Sequence, residues 1–201
     1  ACMNVGHSHP KVVSAIKSQC DRFLHYSNTD FYYREVINLA EQLAEITPGN
    51  FEKKTYFGNS GTEAVEAAVK LAKRYQVTTK GRPERTDVIA FEGSFHGRTM
   101  GAVSVTGQEK YKEGFEPLLP GVKTVPYGDL NAVEAAITER TAAIIVENIQ
   151  GEGGLRVPPP GFLRGLREIT QRHGCLLIVD EVQSGVGRTG RMWAVEHEGI
   201  A

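Results

Sequence analysis

Two adjacent carboxylates, Asp180 and Glu181, close the apolar run CLLIVDE at 175–181. A match to the dinucleotide fingerprint G-x-G-x-x-G follows at 185–190. In a dinucleotide site the first glycine lies at the turn between strand and helix, so that the pyrophosphate reaches the helix N-terminus. Here the two carboxylates lie at that turn and would repel a pyrophosphate, and the residues after the fingerprint do not predict a helix. The chemistry is therefore assigned to Asp180, and the glycine match is interpreted as accidental.

A carboxylate at the end of a buried strand needs a cation or a strong donor, because desolvation of an unpaired charge is costly. A protonated pyridine nitrogen would meet this need, and the aspartate would keep that ring cationic and able to accept electrons. Gln183 follows closely enough to donate to a phenolate oxygen on the same ring. The alternative is an aspartate that only caps the edge of a sheet.

The segment GNSGTEA (58–64) leads from a predicted strand into a predicted helix. The free N–H groups and partial positive charge at a helix start, together with the hydroxyls of Ser60 and Thr62, describe a site for a phosphate. No GK[ST] sequence is present, so a nucleotide site of the Walker type is disfavoured. The alternative is an ordinary helix cap, with Ser60 or Thr62 as the capping residue and Glu63 in the first turn.

A second loop, GSFHGRT (93–99), brackets an aromatic ring and an imidazole with glycines. Phe95 and His96 are well placed to stack on a flat ligand, and Arg98 could bind a carboxylate through two donors. The alternative is a loop histidine with satisfied hydrogen bonds beside a packed phenylalanine.

A third loop, VENIQGEGG (146–154), places Glu147 and Glu152 among glycines that would let the backbone approach a ligand closely. The alternative is a pair of solvated loop acids.

Helices and strands must position these loops. Apolar spacing and turn residues predict helices over 11–24, 33–46, 62–76, 130–139 and 160–174, and strands over 54–58, 86–92, 122–127, 141–147 and 175–181. Short apolar strands separated by helices indicate an α/β fold with a mostly parallel sheet that is buried on both faces. Ligands of such sheets bind beyond the carboxyl ends of the strands, where the three loops and Asp180 are expected.

The composition excludes several classes of partner. With 23 Lys and Arg against 24 Asp and Glu, the net charge is −1, so no basic field is available to hold nucleic acid or an anionic membrane. Cys2, Cys20 and Cys175 lack the spacing of a metal or disulfide motif, which favours a reduced, cytoplasmic compartment and no metal site.

Taken together, the motifs resemble those of the class III, pyridoxal-phosphate-dependent aminotransferases. The matching segments, which follow one another in the order of the family, are NVGHSHP (4–10), GNSGTEAVEAA (58–68), FEGSFHGRTMGA (91–102), VENIQGEGG (146–154) and IVDEVQSGVGRTG (178–190). The resemblance implies the aspartate-aminotransferase-like fold type I. Residues 1–28 are then expected to end an N-terminal segment, and residues 29–201 to form an incomplete cofactor-binding large domain without the C-terminal small domain.

The resemblance also implies the role of each site residue. The cofactor would be pyridoxal 5′-phosphate, with Asp180 as the partner of the pyridine nitrogen and Phe95 and Val182 on opposite faces of the ring. The full set of expected cofactor-binding residues is Ser60, Gly61, Thr62, Phe95, His96, Glu147, Asp180, Glu181, Val182 and Gln183. Arg98 would bind a substrate carboxylate, and Glu152 would be the glutamate that switches between the two half-reactions.

Two features depart from the family pattern. Asn148 stands where the family usually has proline, which is expected to change the stiffness of the loop. The Schiff-base lysine of the family is expected after Asp180 and beyond Ala201, since the last lysine of the chain is Lys123. The chain by itself is therefore expected to be inactive.

For the intact protein, the resemblance implies transamination in a homodimer, with a 2-oxo acid such as 2-oxoglutarate as amino acceptor. Among the amino donors, an ω-amino acid with 4-aminobutyrate first is favoured, and acetylornithine or ornithine is the alternative. A racemase or aminomutase on the same fold stays open. Two rivals of another kind are a nucleotide-dependent oxidoreductase, which depends on the glycine match, and a binding protein without the lysine.

Overall fold

The structure, a computed structural model, describes residues 3–27 and 29–200 and is built around a sheet of four parallel strands. The strands are β1 (Asp87–Phe91), β2 (Val122–Val125), β3 (Thr141–Glu147) and β4 (Leu176–Asp180). Their order across the sheet is β2-β1-β3-β4, and every neighbouring pair is parallel. The α/β class and the parallel sheet predicted from the sequence are confirmed.

Six α-helices are present in the described part of the chain: α1 (Pro10–Arg22), α2 (Arg34–Ile46), α3 (Gly61–Thr78), α4 (Met100–Val105), α5 (Leu130–Ala136) and α6 (Phe162–His173). Short 3₁₀ helices lie at Glu109–Tyr111 and Ala194–His197. Local sequence explains the clearest ends. Ser60 caps α3 by accepting a hydrogen bond from the N–H of Glu63 at 3.3 Å, and Gly174 ends α6 with a φ of 67°, which favours glycine.

Helices cover both faces of the sheet, which explains why the two central strands, β1 and β3, are mostly apolar on both faces. In β1, Ile89 and Phe91 join one buried cluster, and Val88 and Ala90 join the other. The first cluster also contains residues of α5 and α6, and the second contains residues of α3 and α4. Each face therefore has its own apolar core, as expected when crossover helices pack on a parallel sheet.

Two local predictions were wrong. Residues 54–58 form no strand, because they have no pairing partner among the described residues, and Tyr56 is 72% exposed. Helix α4 was missed, since a segment of six residues with Gly101, Val103 and Val105 has weak helical propensity, and its start is stabilised by a side chain from α3. The other predicted elements are present with ends that differ by a few residues.

The topology brings the candidate motifs to one edge of the sheet. The chain runs outward from β1 to β2, then crosses to β3 on the other side of β1, so the winding reverses between β1 and β3. Ligands bind at such reversal points, beyond the carboxyl ends of the strands. The register between β3 and β4 pairs Glu147 with Asp180, so these two carboxylates end neighbouring strands at the same level.

Among residues 3–27 and 29–200, no helix has the length and apolar character needed to cross a membrane. The same residues contain no group of three or more His, Cys, Asp or Glu side chains with the geometry of a metal site. The expected domain boundary falls at Asn28, which lies outside the described residues, and it stays a prediction.

Candidate active site

A cleft of about 310 Å³ lies at the carboxyl edge of the sheet. This volume is within the range of small-molecule sites. Its lining residues come from the start of α3, from the loops after β1 and β3, and from the end of β4: Gly61, Thr62, Phe95, His96, Gly97, Arg98, Glu147, Asp180, Val182 and Gln183. Every lining residue except Gly97 belongs to the set that was singled out from the sequence.

Asp180 and His96 form a buried pair in this cleft. Their Oδ2 and Nδ1 atoms are 2.8 Å apart, and the side chains are 6% and 0% exposed. Because a carboxylate can only accept, the proton of this bond belongs to Nδ1 of the imidazole. The other carboxylate oxygen, Oδ1, accepts from the N–H of Val182 at 3.0 Å. Asp180 is therefore fixed at the end of β4 with its charge held out of bulk water.

Glu147 is a second buried carboxylate, one strand away from Asp180. It accepts from the N–H of Phe95 at 2.9 Å and from that of Gly151 at 3.4 Å. Burial raises the pKa of the Glu147 carboxyl above its ordinary value, and the charge of Asp180 adds to this rise, while the N–H of Phe95 and the imidazole of His96 oppose it. Glu147 thus ties the loops after β1 and β3 together beneath the cleft.

The start of α3 supplies the polar end of the cleft. Ser60 acts as the helix cap, with its hydroxyl engaged by Glu63, and it does not line the cleft. Gly61 and Thr62, the first two residues of the 18-residue helix, do line it. A Cβ atom on Gly61 would lie 3.0 Å from both methyl groups of Val182, so glycine keeps this end open. For Ser60 the capping alternative holds, and the helix start itself is left to bind an anion.

Phe95 and Arg98 share one aromatic neighbour, Tyr111. The rings of Phe95 and Tyr111 meet edge to face with centroids 5.4 Å apart, and the guanidinium carbon of Arg98 lies 4.0 Å from the Tyr111 ring centroid. Arg98 is exposed, and no carboxylate in the described part of the chain forms an ion pair with it. Its charge is therefore held over a ring at the cleft and is available to a ligand carboxylate.

Glu152 lies beside the cleft and contacts it through Gln183. The Nε2 atom of Gln183 is 3.4 Å from Oε1 of Glu152, and a Cβ on Gly151 would lie 2.3 Å from Oε1 of Gln183. Glu152 is exposed and does not line the cleft. The structure therefore brings Glu152 to the site only as the neighbour of a lining residue.

Glu181 differs most from its expected place. Its carboxylate accepts from the N–H groups of Ala194 and Val195 at 2.7 and 2.9 Å, which caps the 3₁₀ helix at Ala194–His197. It lines a separate, apolar cavity and not this cleft. Asn148 is buried directly after β3, and its Nδ2 atom lies 3.5 Å from Oε1 of the Glu181 carboxylate. Glu181 thus has a structural role here, and Asn148 contributes a polar contact to it.

The stretch at 185–190 forms turns, and residues 191–200, the described residues that follow it, contain no α-helix. Val186 and Gly187 have positive φ values of 52° and 84°, and Gly190 has one of 86°. The helix N-terminus that a dinucleotide site requires is missing at this point, as the sequence predicted.

The residues of the cleft fit a flat, phosphorylated heteroaromatic cofactor. A helix N-terminus suits a phosphate, the Phe95 ring and the Val182 side chain suit the two faces of a flat ring, and the buried Asp180 carboxylate suits a protonated ring nitrogen. His96 retains a buried Nε2 atom with no partner among the described residues. Gly97 is required as well, because a Cβ there would lie 2.2 Å from the hydroxyl oxygen of Thr62.

Sequence reasoning missed three residues that support the site. Glu66 contacts the start of α4, Thr106 accepts from the N–H of His96 at 3.0 Å, and Tyr111 packs against Phe95 and Arg98. A signal existed for Glu66, since it lies four residues after Thr62 on the same face of α3. The sequence held no such signal for Thr106 and Tyr111, because their contacts form only when the chain folds back onto the loop after β1.

Comparison with known proteins gives one consistent answer. The family described as aminotransferase class-III matches residues 1–201. The acetylornithine aminotransferase of Methanopyrus kandleri is 55% identical over 98% of this chain and 48% of its own length. The ornithine aminotransferase of an Exiguobacterium species is 44% identical, over 100% of this chain and 49% of its own length.

Among solved structures, the ornithine aminotransferase of Toxoplasma gondii, described with partial occupancy of PLP at its active site, superposes with a TM-score of 0.92 at 34% identity. The match covers 98% of this chain and 46% of that one. The chain therefore spans about half the length of the relatives that it matches.

Proposed function

Because the chain belongs to the class-III aminotransferase family, we propose that the protein containing it transfers an amino group from acetylornithine or ornithine to 2-oxoglutarate. Pyridoxal 5′-phosphate is the cofactor of this family and of this protein. The activity is proposed for the whole protein, since the chain spans about half the length of its relatives.

The observation that carries the proposal is the buried pair of Asp180 and His96 at the cleft that also contains the first residues of α3. A buried carboxylate held by an imidazole would retain a proton on a ring nitrogen bound next to it, because loss of that proton would leave the Asp180 charge unanswered by the ligand. The helix start at Gly61 and Thr62 gives the same ligand a place for its phosphate.

When bound, the cofactor supplies an aldehyde that takes up substrate amines and a cationic ring that accepts the electrons released at the substrate carbon. Asp180 keeps the proton on the ring nitrogen, and His96 keeps Asp180 in the orientation that this requires. Phe95 and Val182 would exclude water from the two faces of the ring. Gln183 also lines the cleft, and its side-chain amide would donate to the phenolic oxygen.

The choice of amino donor depends on the relatives and on Arg98. Acetylornithine and ornithine aminotransferases are among the similar sequences, which favours these donors over 4-aminobutyrate, the donor that the sequence motifs alone favoured. The exposed Arg98 guanidinium at the cleft suits the carboxylate of such a donor. We propose that Glu152, held by Gln183, adjusts the site between the donor and 2-oxoglutarate.

Two parts of the proposal concern the rest of the protein. The chain has no lysine after Lys123, so we propose that the residue anchoring the cofactor lies in a further segment of the protein. We also propose that two copies associate as a homodimer, as the resemblance to the family implies.

The experiment is a donor comparison with the full-length protein and 2-oxoglutarate. Acetylornithine, ornithine and 4-aminobutyrate are supplied separately, and the formation of glutamate is measured. We expect the highest kcat/KM with acetylornithine or ornithine. A preference for 4-aminobutyrate would restore the donor that the motifs favoured, and absence of glutamate with loss of optical activity in the donor would indicate a racemase.

A further inference from the structure

Glu66 links α3 to the segment that follows the Phe95–His96 loop. Its Oε1 atom accepts from the hydroxyl of Thr99 at 2.6 Å and from the N–H groups of Gly101 and Ala102 at 2.8 and 3.2 Å. These N–H groups belong to the first turn of α4, which has no cap of its own from Thr99. A carboxylate more than thirty residues away in sequence therefore caps this helix.

Two glycines lie close to this contact. A Cβ on Gly101 would lie 2.2 Å from the Oε2 atom of Glu66, and one on Gly97 would lie 2.2 Å from the hydroxyl oxygen of Thr62. At Gly97 the loop approaches α3 too closely for a side chain, whereas a side chain at Gly101 would displace the Glu66 carboxylate from the start of α4.

The hydrogen bonds fix the direction of the hydroxyl protons. An ionised carboxylate can only accept, so Thr99 donates its hydroxyl hydrogen to Glu66. Thr62, whose oxygen is 3.0 Å from that of Thr99, must then donate its hydrogen to Thr99. The Thr62 hydroxyl hydrogen is thereby engaged by Thr99, so the backbone N–H of Thr62 is the donor that would remain for a ligand phosphate, and this arrangement depends on Glu66.

The C-terminal end of α4 is linked to His96 through Thr106. Thr106, which follows α4, accepts from the N–H of His96 at 3.0 Å and donates to the carbonyl of Ala102 at 3.1 Å. Helix α4 therefore joins Glu66 at one end to His96 at the other, and His96 in turn holds Asp180.

We propose that Glu66 is a positioning residue: by capping α4 it fixes the Phe95–His96 loop against the start of α3 and couples the phosphate end of the cleft to its Asp180 end. This inference rests on the proposed function, because it assigns Glu66 a role toward pyridoxal phosphate. The competing explanation is a cap that only stabilises the fold.

The test uses the full-length protein with Glu66→Ala, which removes every acceptor, and Glu66→Gln, which retains one acceptor oxygen. Asp129→Ala is the matched control, since Asp129 caps α5 by accepting from the N–H of Ala132 at 3.0 Å, away from the cleft. Each apoprotein is titrated with pyridoxal phosphate for its Kd, the visible circular dichroism of the bound cofactor is recorded, and the apoprotein Tm is measured.

We expect Glu66→Ala to raise the Kd for pyridoxal phosphate about tenfold, as the loss of hydrogen bonds to a charged acceptor implies, and to weaken the visible circular dichroism per bound cofactor. Glu66→Gln should fall between this variant and the wild type. Asp129→Ala should lower the Tm while its Kd stays within about twofold of the wild-type value. A wild-type Kd in Glu66→Ala, or an equal rise in Asp129→Ala, would overturn the proposal.

Two further measurements cover the other outcomes. If Glu66→Ala does not fold, Thr99→Val removes the hydroxyl bridge and leaves the backbone bonds of α4 in place, and an unchanged Kd there would count against the coupling. If the wild type does not bind pyridoxal phosphate, the proposed function fails, and hydrogen exchange of the apoprotein still tests the positioning role. Glu66→Ala should then speed exchange across residues 95–102, and unchanged exchange would overturn it.

Discussion

The Nδ1 atom of His96 lies 2.8 Å from the Oδ2 atom of Asp180, and the two side chains are almost fully buried. His96 belongs to the loop after β1 and Asp180 to the end of β4, so the contact spans β3, the strand between them. The bond satisfies one polar atom of each buried group, which favours the pair in such a place. The pair leaves Asp180 with further capacity to accept a hydrogen bond from a ligand.

Asp180→Asn should remove most of the activity and little of the stability. The amide keeps the shape of the side chain but has no charge with which to retain a proton on the ring nitrogen. We expect kcat/KM of the full-length protein to fall by about 100-fold or more, which corresponds to roughly 2.7 kcal/mol of transition-state stabilisation. The Tm of the apoprotein should stay near that of the wild type, and a variant with undiminished kcat/KM would refute the role of Asp180.

Gly61→Ala should weaken the binding of pyridoxal phosphate without unfolding α3. The added methyl group would lie 3.0 Å from both methyl groups of Val182 and would narrow the phosphate end of the cleft. Alanine favours the helix, so we expect an unchanged or higher Tm together with a Kd raised about tenfold. Val182→Ala in the same protein removes the clash, and failure of this second change to recover part of the affinity would contradict the explanation.

Arg98→Gln should raise the KM for donors that carry a carboxylate. We expect an increase of about tenfold for acetylornithine with a smaller change in kcat, because a charge-assisted hydrogen bond to the donor is lost. The control is a simple alkyl amine without a carboxylate, whose KM should not change. Equal effects on both donors would argue against contact between Arg98 and the carboxylate.

Tyr111→Leu should also raise the KM for donors that carry a carboxylate, but by less than Arg98→Gln does. The substitution leaves the charge of Arg98 and removes the ring that lies 4.0 Å from its guanidinium carbon. A cation–π contact contributes about 0.5–1 kcal/mol at an exposed site, so we expect the KM for acetylornithine to rise about two- to fivefold. Tyr111→Phe, which keeps the ring, should behave as the wild type.

Glu147→Gln should change how stability depends on pH. Burial raises the pKa of Glu147 in the folded protein above its ordinary value of 4.5. The folded state then holds the proton more strongly than the unfolded state does, so Glu147 lowers the free energy of unfolding as pH rises from near 4.5 through the folded pKa. Glutamine does not titrate, so the variant should gain stability relative to the wild type across this window and keep the gain above it.

This dependence is measured by urea unfolding of both full-length apoproteins between about pH 4 and about pH 8. The difference in the free energy of unfolding should grow with pH and then level off. A difference that is constant across the range would mean that the burial of Glu147 has no consequence for its ionisation.

The sequence by itself determined the class of fold and most of the site. Short apolar strands such as 141–147 can only be stable with both faces covered, which required a parallel sheet with helices on each side. The carboxyl ends of its strands then had to carry Asp180, Glu147 and the Phe95–His96 loop to one edge. Because the spacing of apolar residues is a local property, the elements and the parallel sheet can be predicted from the chain alone, whereas the order of the strands came from the structure.

Only the tertiary structure decided which side chains meet at the cleft and which contact other parts of the fold. Glu181 and Asp180 are neighbours in sequence, but β4 ends at Asp180, and Glu181 caps the helix at Ala194–His197 while Asp180 lines the cleft. Glu66 contacts α4 although more than thirty residues separate them in the sequence, and no local pattern predicts such a contact. The strand expected at 54–58 was absent for the same physical reason: a strand is defined by its hydrogen-bonded neighbour, and local sequence does not specify that neighbour.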